Sequence, residues 1–521
     1  MAFYFLYPTF ISMAKKYPIG IQSFSEIRNN NYHYVDKTER IHELVSTGKF
    51  YFLSRPRRFG KSLLLNTIEE LFRGKKQLFD GLWISDKWDW TQKHPIIHIS
   101  FSDIGVNTLG LIEAITKVLS EIATELAITL SATSYDQQFK ELIQKAAVNG
   151  NVVVLIDEYD KPIIDFLDDV EKAEWHLQIM KNFYSIIKGA DAYIRFFILA
   201  GVSRFSKVSI FSDLNNLNDI TLSTRFGTLA GITQEELENN FATDISTLKV
   251  TNPKILDEIK LWYNGYSWDN ITKVYNPFSI LNFMAEPVFR NYWFATGSPG
   301  FLIKKIRLAG EYNFENIQMN ERVLGNFDIE NTIPAPLLFQ TGYLTIKSYN
   351  KVTRTYTLDY PNQEVRDSLL DNLLSAYRGV FPADSASETG ELLLAINQGD
   401  VAAIIRALNA VISSIPYDHW RADTESIFHI ITYLTFKKIG VDIYTEVHNH
   451  KGRCDVLIKT DNCIYVMELK LNGNAGDALQ QIVNSQYLQP YMADSRKKIA
   501  LGINFSQEAR QVDEYKMEVI I

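Results

Sequence analysis

The chain has 521 residues, 46% of them apolar and 22% charged, with a formal net charge of −8. At about 150 residues per domain this is too long for one ordinary core and predicts about three domains. The negative balance excludes a protein that grips nucleic acid through a globally basic surface, and no apolar run reaches the ~18 residues of a membrane span.

The first dozen residues, MAFYFLYPTFIS, are apolar, but Pro8 interrupts them and the first lysines, Lys15 and Lys16, follow them. An export signal needs its basic residues in front. Residues 1–16 therefore read as a short extension with a second possible start at Met13.

Between 17 and 232, apolar runs at 49–54, 95–102, 151–156 and 193–200 alternate with helical patterns such as 62–72 and 109–126. Near-continuous apolar strands separated by helices predict an α/β domain, a parallel sheet covered on both faces. The first strand runs into Ser54-Arg-Pro-Arg-Arg-Phe-Gly-Lys-Ser62 and then a helix, the setting in which a phosphate-binding loop makes physical sense. Loop and helix N–H groups cradle an anion, Lys61 reaches the outer phosphates and the Ser62 hydroxyl ligates Mg²⁺. Arg58, Phe59, Gly60, Lys61 and Ser62 are the expected nucleotide-binding residues. The usual first glycine of such a loop is Arg55 here, so the turn must be made differently, with help from Pro56. Arg55, Arg57 and Arg58 are expected to place three cations beside the anion site.

The strand 151–156 leads into Asp157 and Glu158, as a Mg²⁺-binding aspartate and a water-activating glutamate would be placed. Asp160 reads as the N-cap of a helix starting near Lys161-Pro162. The fourth strand leads to Ser203, a candidate γ-phosphate sensor, and to Arg204. For Arg204, transition-state stabilisation and an ordinary salt bridge stand level.

Thr233 and Glu236 form a capping-box pattern that opens a helix. From there to about 375 the pattern is mixed and aromatic and defines no fold, while 385–416 is mostly helical. Residues 233–419 are thus expected as a middle and linker region.

Residues 420–521 read as αβββαβ, with helices at 424–438 and 475–492 and strands at 442–447, 454–459, 464–471 and 498–504. Cys454 and Cys463 have no zinc-ligand spacing and point to reduced thiols in a cytoplasmic protein. Glu468 and Lys470 lie two apart on an apolar strand and face the same side, where charge is costly unless paired or metal-bound. Asp455 on the neighbouring strand can lie across from Glu468, and two carboxylates make an oxygen-rich Mg²⁺ site. Lys470 would position the nucleophile, Glu425 would add a carboxylate, and Gln480 or Gln481 would reach the scissile phosphate. An inter-strand salt bridge is the structural alternative.

With these residues in view, the chain resembles the bacterial AAA-ATPase-like proteins fused to a PD-(D/E)XK nuclease domain. The marks are Tyr17-Pro-Ile-Gly20, Tyr34-Val-Asp-Lys-Thr38, Arg55-Pro-Arg-Arg-Phe-Gly-Lys-Ser62 and Leu155-Ile-Asp-Glu-Tyr-Asp160. Further marks are Trp262-Tyr-Asn-Gly-Tyr-Ser-Trp268, Tyr275-Asn-Pro-Phe278, Gln340-Thr-Gly-Tyr-Leu344 and Tyr360-Pro-Asn-Gln-Glu-Val365. The arginine at 55 looks like the family's own variant, and Cys454-Asp455 stands where the family name has Pro-Asp. The resemblance implies an N-terminal P-loop NTPase at 17–232 and a restriction-endonuclease-like domain at 420–521. It also implies ATP, Mg²⁺ at both sites and a nucleic-acid substrate, DNA ahead of RNA. A defence or mobile-element setting suits such a fusion, and self-association is compatible with it. The competing function is a regulatory or scaffold NTPase whose C-terminal domain binds without cleaving.

Overall fold

The apolar runs before residue 232 assemble as one parallel sheet. Its strands are β1 (Phe50–Ser54), β2 (Ile96–Ser100), β3 (Val152–Asp157), β4 (Ile194–Gly201) and the short β5 (Asn218–Asp219), in the order β2-β3-β4-β1-β5. The structure, a computed structural model, describes residues 16–102, 104–204, 214, 216–294, 300–324, 334–379, 388–415, 424–449 and 451–520. The extension expected at 1–16 lies outside the described residues, apart from Lys16.

Every residue of β1 and β3 is buried, as the two-sided covering of a parallel sheet requires. Tyr51, Leu53, Val153, Leu155, Phe196 and Ile198 face one core, filled from the helix Lys61–Phe72 by Leu65, Ile68 and Leu71. Because β1 pairs with β4, Ser54 lies beside Gly201, which brings the ends of these two strands together.

Beyond β5 the capping box forms as read: Thr233 accepts from Glu236 N while Glu236 accepts from Thr233 N, opening the helix Gln234–Asn240. Next come the two-stranded pair β6 (Asn264–Tyr266) and β7 (Val274–Tyr275). A three-stranded antiparallel sheet follows, made of β8 (Ile317–Asn320), β9 (Thr345–Asn350) and β10 (Thr355–Asp359) in the order β8-β10-β9.

The chain divides into two compact units, Met1–Ser298 with Phe314–Val365, and Pro299–Asn313 with Arg366–Ile521. The middle region expected at 233–419 is therefore not a body of its own. Most of it up to Val365 folds with the P-loop sheet, and the remainder folds with the C-terminal sheet.

In the second unit, β11 (Asp442–Asn449), β12 (Gly452–Lys459), β13 (Cys463–Leu471), β14 (Lys497–Ser506) and β15 (Gln511–Ile520) lie in chain order. Only β13 and β14 run parallel; the other neighbours are antiparallel. The helix Thr424–Lys438 packs on this sheet through Phe428, which stacks on Phe505 at 4.3 Å. On the other face the helix Ala475–Asn484 approaches Gly502 closely. A Cβ there would meet the Ala475 carbonyl at 2.3 Å, so only glycine fits.

The order expected for this domain needs two corrections. The second helix stops at Asn484 rather than 492, because Gln486 turns left-handed at φ 52. A further strand, β15, completes the sheet. The helices Glu388–Gln398 and Val401–Ser413 are present but belong to this core. Tyr465 Oη donates to the Ile396 carbonyl at 2.6 Å, and Asn409 bonds Val512 N and O.

Candidate nucleotide and nuclease sites

The loop after β1 ends at Gly60, whose φ of +84 leads into the helix Lys61–Phe72. The first N–H groups of that helix have no intrahelical acceptor, and Gly60 and Ser62 flank the amine of Lys61 in sequence. Lys61 is buried, and its Nζ donates to the Arg55 and Pro56 carbonyls, 3.0 Å each. Burial lowers its pKa, against the attraction of Asp157, Asp160 and Glu158. A cation held among three carboxylates at the head of a helix is suited to a polyphosphate with its metal ion.

Arg55 does not stand beside the anion site as its position in the loop suggested. It is fully buried: its guanidinium donates to the Ser54 and Thr221 carbonyls and stacks on Trp268 at 4.2 Å. Backbone carbonyls and an indole face hold this group, though its Nε is buried without a partner among the described residues, so Arg55 braces the loop. Arg57 and Arg58 are exposed, and Arg58 lies over the Phe278 ring.

Phe59 is buried between Tyr266 and Trp268, with ring centroids at 4.8 and 5.2 Å. Trp293 Nε1 donates to the Arg57 carbonyl at 3.1 Å, and Trp293 N donates to Glu364, which also accepts from Ser279 Oγ. Burial pushes Glu364 up to about 7. Gly342, at φ +93, lies where a Cβ would come within 2.7 Å of Pro56. Together with Trp293, the strings around 262–268, 275–278, 340–344 and 360–365 thus pack around the phosphate loop or hold the groups that do. Sequence reasoning assigned them no role. Their signal was the density of Trp, Tyr, Asn and Gly in a region without periodicity.

At the end of β3, Asp157 is buried and accepts from Glu158 N at 2.9 Å. Glu158 adopts φ +49, and burial followed by Asp157 raises its pKa. Asp160 occupies the N-cap position of the helix Lys161–Ile164, but its side chain does not cap it. Its carboxylate instead accepts from Val202 N and Ser203 N across the sheet. That link holds Ser203, fully buried, at the end of β4 beside the phosphate loop. Arg204 resolves toward the salt-bridge alternative: its Nε meets Asp219 at 2.7 Å, and its backbone N donates to Gln340.

A largely apolar cavity adjoins the loop, lined by Tyr34, Val35, Gly60, Leu63, Leu64, Ile232 and Leu281. Its position against the first turns of the phosphate-loop helix suits the flat, largely apolar base of a nucleotide.

In the second unit, Val456 pairs with Met467, so the antiparallel register brings Asp455 opposite Glu468. Asp455 Oδ2 accepts from Leu469 N at 2.8 Å. Glu468 is 2% exposed. Its Oε1 receives Lys470 Nζ at 3.3 Å and Gln481 Nε2, and Lys470 also donates to Gln481 Oε1 at 2.8 Å. Gln481 is the glutamine that reaches the site. Gln480 is exposed on the same helix and bonds Asn484, as the 100° step between neighbouring helical residues dictates. Glu425 lies in the helix Thr424–Lys438, but its side chain is outside the described residues.

Glu468 Oε2 is buried without a hydrogen-bond partner among the described residues, and burial, then the Asp455 charge, pushes this carboxyl up to about 7. One amine does not compensate two carboxylates. The donor set, two carboxylates with one oxygen free, fits a hard divalent cation such as Mg²⁺. No cluster of three or more His, Cys, Asp or Glu stands here among the described residues, so water and substrate oxygens would complete the shell.

Residues 18–211 match the family described as Predicted AAA-ATPase, and 423–515 match the PD-(D/E)XK nuclease superfamily. A protein of Azotobacter chroococcum mcd 1, described as an uncharacterized protein in the vnfD 5′ region, is 39% identical over 518 residues. That similarity covers 97% of this chain and 99% of the relative. No solved structure matches. Among the described residues no helix is long and apolar enough to cross a membrane. With both sites traced to their residues and the likeness running end to end, the chain belongs to the AAA-ATPase-like proteins that carry a C-terminal PD-(D/E)XK nuclease superfamily domain.

Proposed function

We propose that this chain is an ATP-controlled, Mg²⁺-dependent nuclease that cleaves nucleic acid, DNA in preference to RNA, in the cytoplasm. In the first unit, Gly60, Lys61 and Ser62 bind the phosphates, Ser62 and Asp157 hold the metal shell, and Glu158 takes the proton of the attacking water. Ser203 contacts the γ-phosphate, and the apolar cavity beside Leu63 receives the base. In the second unit, Asp455 and Glu468 hold the metal ion. When bound, that ion lowers the pKa of a water and neutralises phosphate charge. Lys470, aimed by Gln481, orients the nucleophile.

The observation that supports the nuclease reading is a buried oxygen of Glu468, without a partner among the described residues, beside Asp455 and Lys470. A purely structural salt bridge would leave no carboxylate oxygen unsatisfied in a 2% exposed side chain. The test is incubation of the full chain with plasmid, linear DNA and RNA, with and without ATP and Mg²⁺, using Glu468→Ala as control. Metal-dependent cleavage by the wild type alone is expected. Binding without cleavage under every nucleotide state would overturn the reading in favour of a scaffold NTPase, which the net charge of −8 mildly favours.

A further inference from the structure

We propose that the outer edge of β15 joins the same edge of a second copy of this chain, antiparallel, about a two-fold axis at Met517.

The two edges of the C-terminal sheet are built differently. On β11, Glu446 turns to φ +53 and drops out of the pairing between Thr445 and Val447, so that edge is interrupted in its middle although its register holds on both sides. On β15, the register with β14 is unbroken from Glu514 to Ile520, and no proline or glycine interrupts it. A long, straight edge strand leaves a row of N–H and C=O groups available to another strand, and most proteins disrupt such edges. Here the disruption stops early. Asn409 occupies the backbone of Val512, and among the described residues the open stretch begins at Asp513.

The side chains specify the occupant. Tyr515, Met517 and Val519 pair with the buried Ile503, Leu501 and Ile499, so they extend the same apolar face, yet each remains 36–40% exposed. Lys516 and Glu518 alternate with them on the opposite face. With Met517 opposite its own copy, Tyr515 faces Val519 and Lys516 faces Glu518, each twice. Centring the pair on Lys516 would oppose Glu514 to Glu518. Centring it on Tyr515 would oppose Met517 to Asp513. From Tyr515 to Val519 the Met517 register matches apolar with apolar on one face and acid with base on the other, the pattern of an isologous contact, and only beyond that stretch does it set Glu514 against Ile520.

The proposal is tested on the full chain by sedimentation equilibrium over a micromolar concentration series. A mass of two chains is expected. Lys516→Glu or Glu518→Lys alone should weaken the dimer by about tenfold or more, since each places like charges opposite one another twice. The double substitution should restore it. Met517→Cys should give a disulfide-linked dimer under mild oxidation, while the native thiols, Cys454 and Cys463, are buried. A monomer at every concentration would overturn the proposal and leave the edge to another occupant, such as an extended peptide. So would a dimer indifferent to the single reversals, or one that the double substitution fails to rescue. The substituted side chains are exposed, so unchanged circular dichroism should accompany each loss of mass.

Discussion

The amine of Lys61 bonds two carbonyls of its own loop, and a triphosphate must draw it away from both. Lys61→Ala should therefore lose triphosphate binding by calorimetry and lose hydrolysis, with its melting temperature little changed. Glu158→Gln should still bind ATP but not turn it over. The two glutamines of the C-terminal helix make a sharper pair. Gln481→Ala should lower nucleic-acid cleavage by about 10- to 100-fold, the usual effect of removing a residue that orients a metal-site ligand. Gln480→Ala should leave the rate unchanged, because its side chain bonds Asn484 instead. Glu468 supplies a pH prediction. Its folded pKa, about 7, lies above the ordinary glutamate value, so without metal the fold favours the protonated form. Stability from this group is present at low pH and is lost as the pH rises from the ordinary value through about 7. A divalent ion competes with that proton. Mg²⁺ should accordingly raise the melting temperature more at about pH 8 than at about pH 6, and Glu468→Gln should abolish the difference. A shift equal at both pH values would remove Glu468 from the metal site.

At the scale of the element, the phosphate loop is held by side chains far away in sequence. Trp293→Phe keeps the ring against Tyr343 but deletes the N–H that reaches the Arg57 carbonyl. It should weaken ATP binding by about 2- to 10-fold, the range of one hydrogen bond, with a small change in melting temperature. Gly342→Ala forces a Cβ against Pro56 at positive φ and should cost about 1–3 kcal/mol in chemical denaturation. These contacts mark what the sequence conceals. β1 to β4 were legible because buried parallel strands are apolar throughout, and the phosphate loop because its chemistry is local. Asp455, Glu468 and Lys470 were legible because charges on an apolar strand demand a partner. Gln481 was separable from Gln480 only by helical phase, which depends on where the helix begins. β15 was missed because an edge strand alternates Glu, Lys and Asp with its apolar residues, and Arg55 was misjudged because its stacking partner, Trp268, is over two hundred positions away.

At the scale of the molecule, the two sites belong to different compact units, and their substitutions should separate. Asp455→Asn, Glu468→Ala and Lys470→Ala should each abolish cleavage while leaving ATP turnover unchanged in the absence of nucleic acid. Joint loss of both activities would show that the sites depend on each other directly. The boundary itself is testable. The helix Gly300–Ala309 is assigned to the second unit and carries the buried Leu302 and Ile306, while Tyr312 packs on Tyr433 and Tyr377 Oη donates to the Glu311 carbonyl. A fragment of residues 366–521 lacks Leu302, Ile306 and Tyr312, and leaves Tyr377 and Tyr433 without these partners. At about 1.5–3 kcal/mol per buried apolar side chain it should melt several kcal/mol below the intact unit, or fail to fold cooperatively.

The same division bears on how such a chain is made and how it could have arisen. The path leaves the first unit after Ser298, returns at Phe314 and leaves again after Val365. On the ribosome, residues 299–313 emerge well before the strands they will join, and the P-loop unit lacks its last segment until Val365 has cleared the exit tunnel. Neither half can be finished in simple order of synthesis, so the nascent chain must keep an amphipathic helix waiting through more than fifty residues. A gene rearrangement that exchanged the nuclease as a terminal cassette, cut anywhere near residue 420, would strand that helix in the wrong protein. The two units are therefore inherited together, joined at three places in the reading frame rather than one.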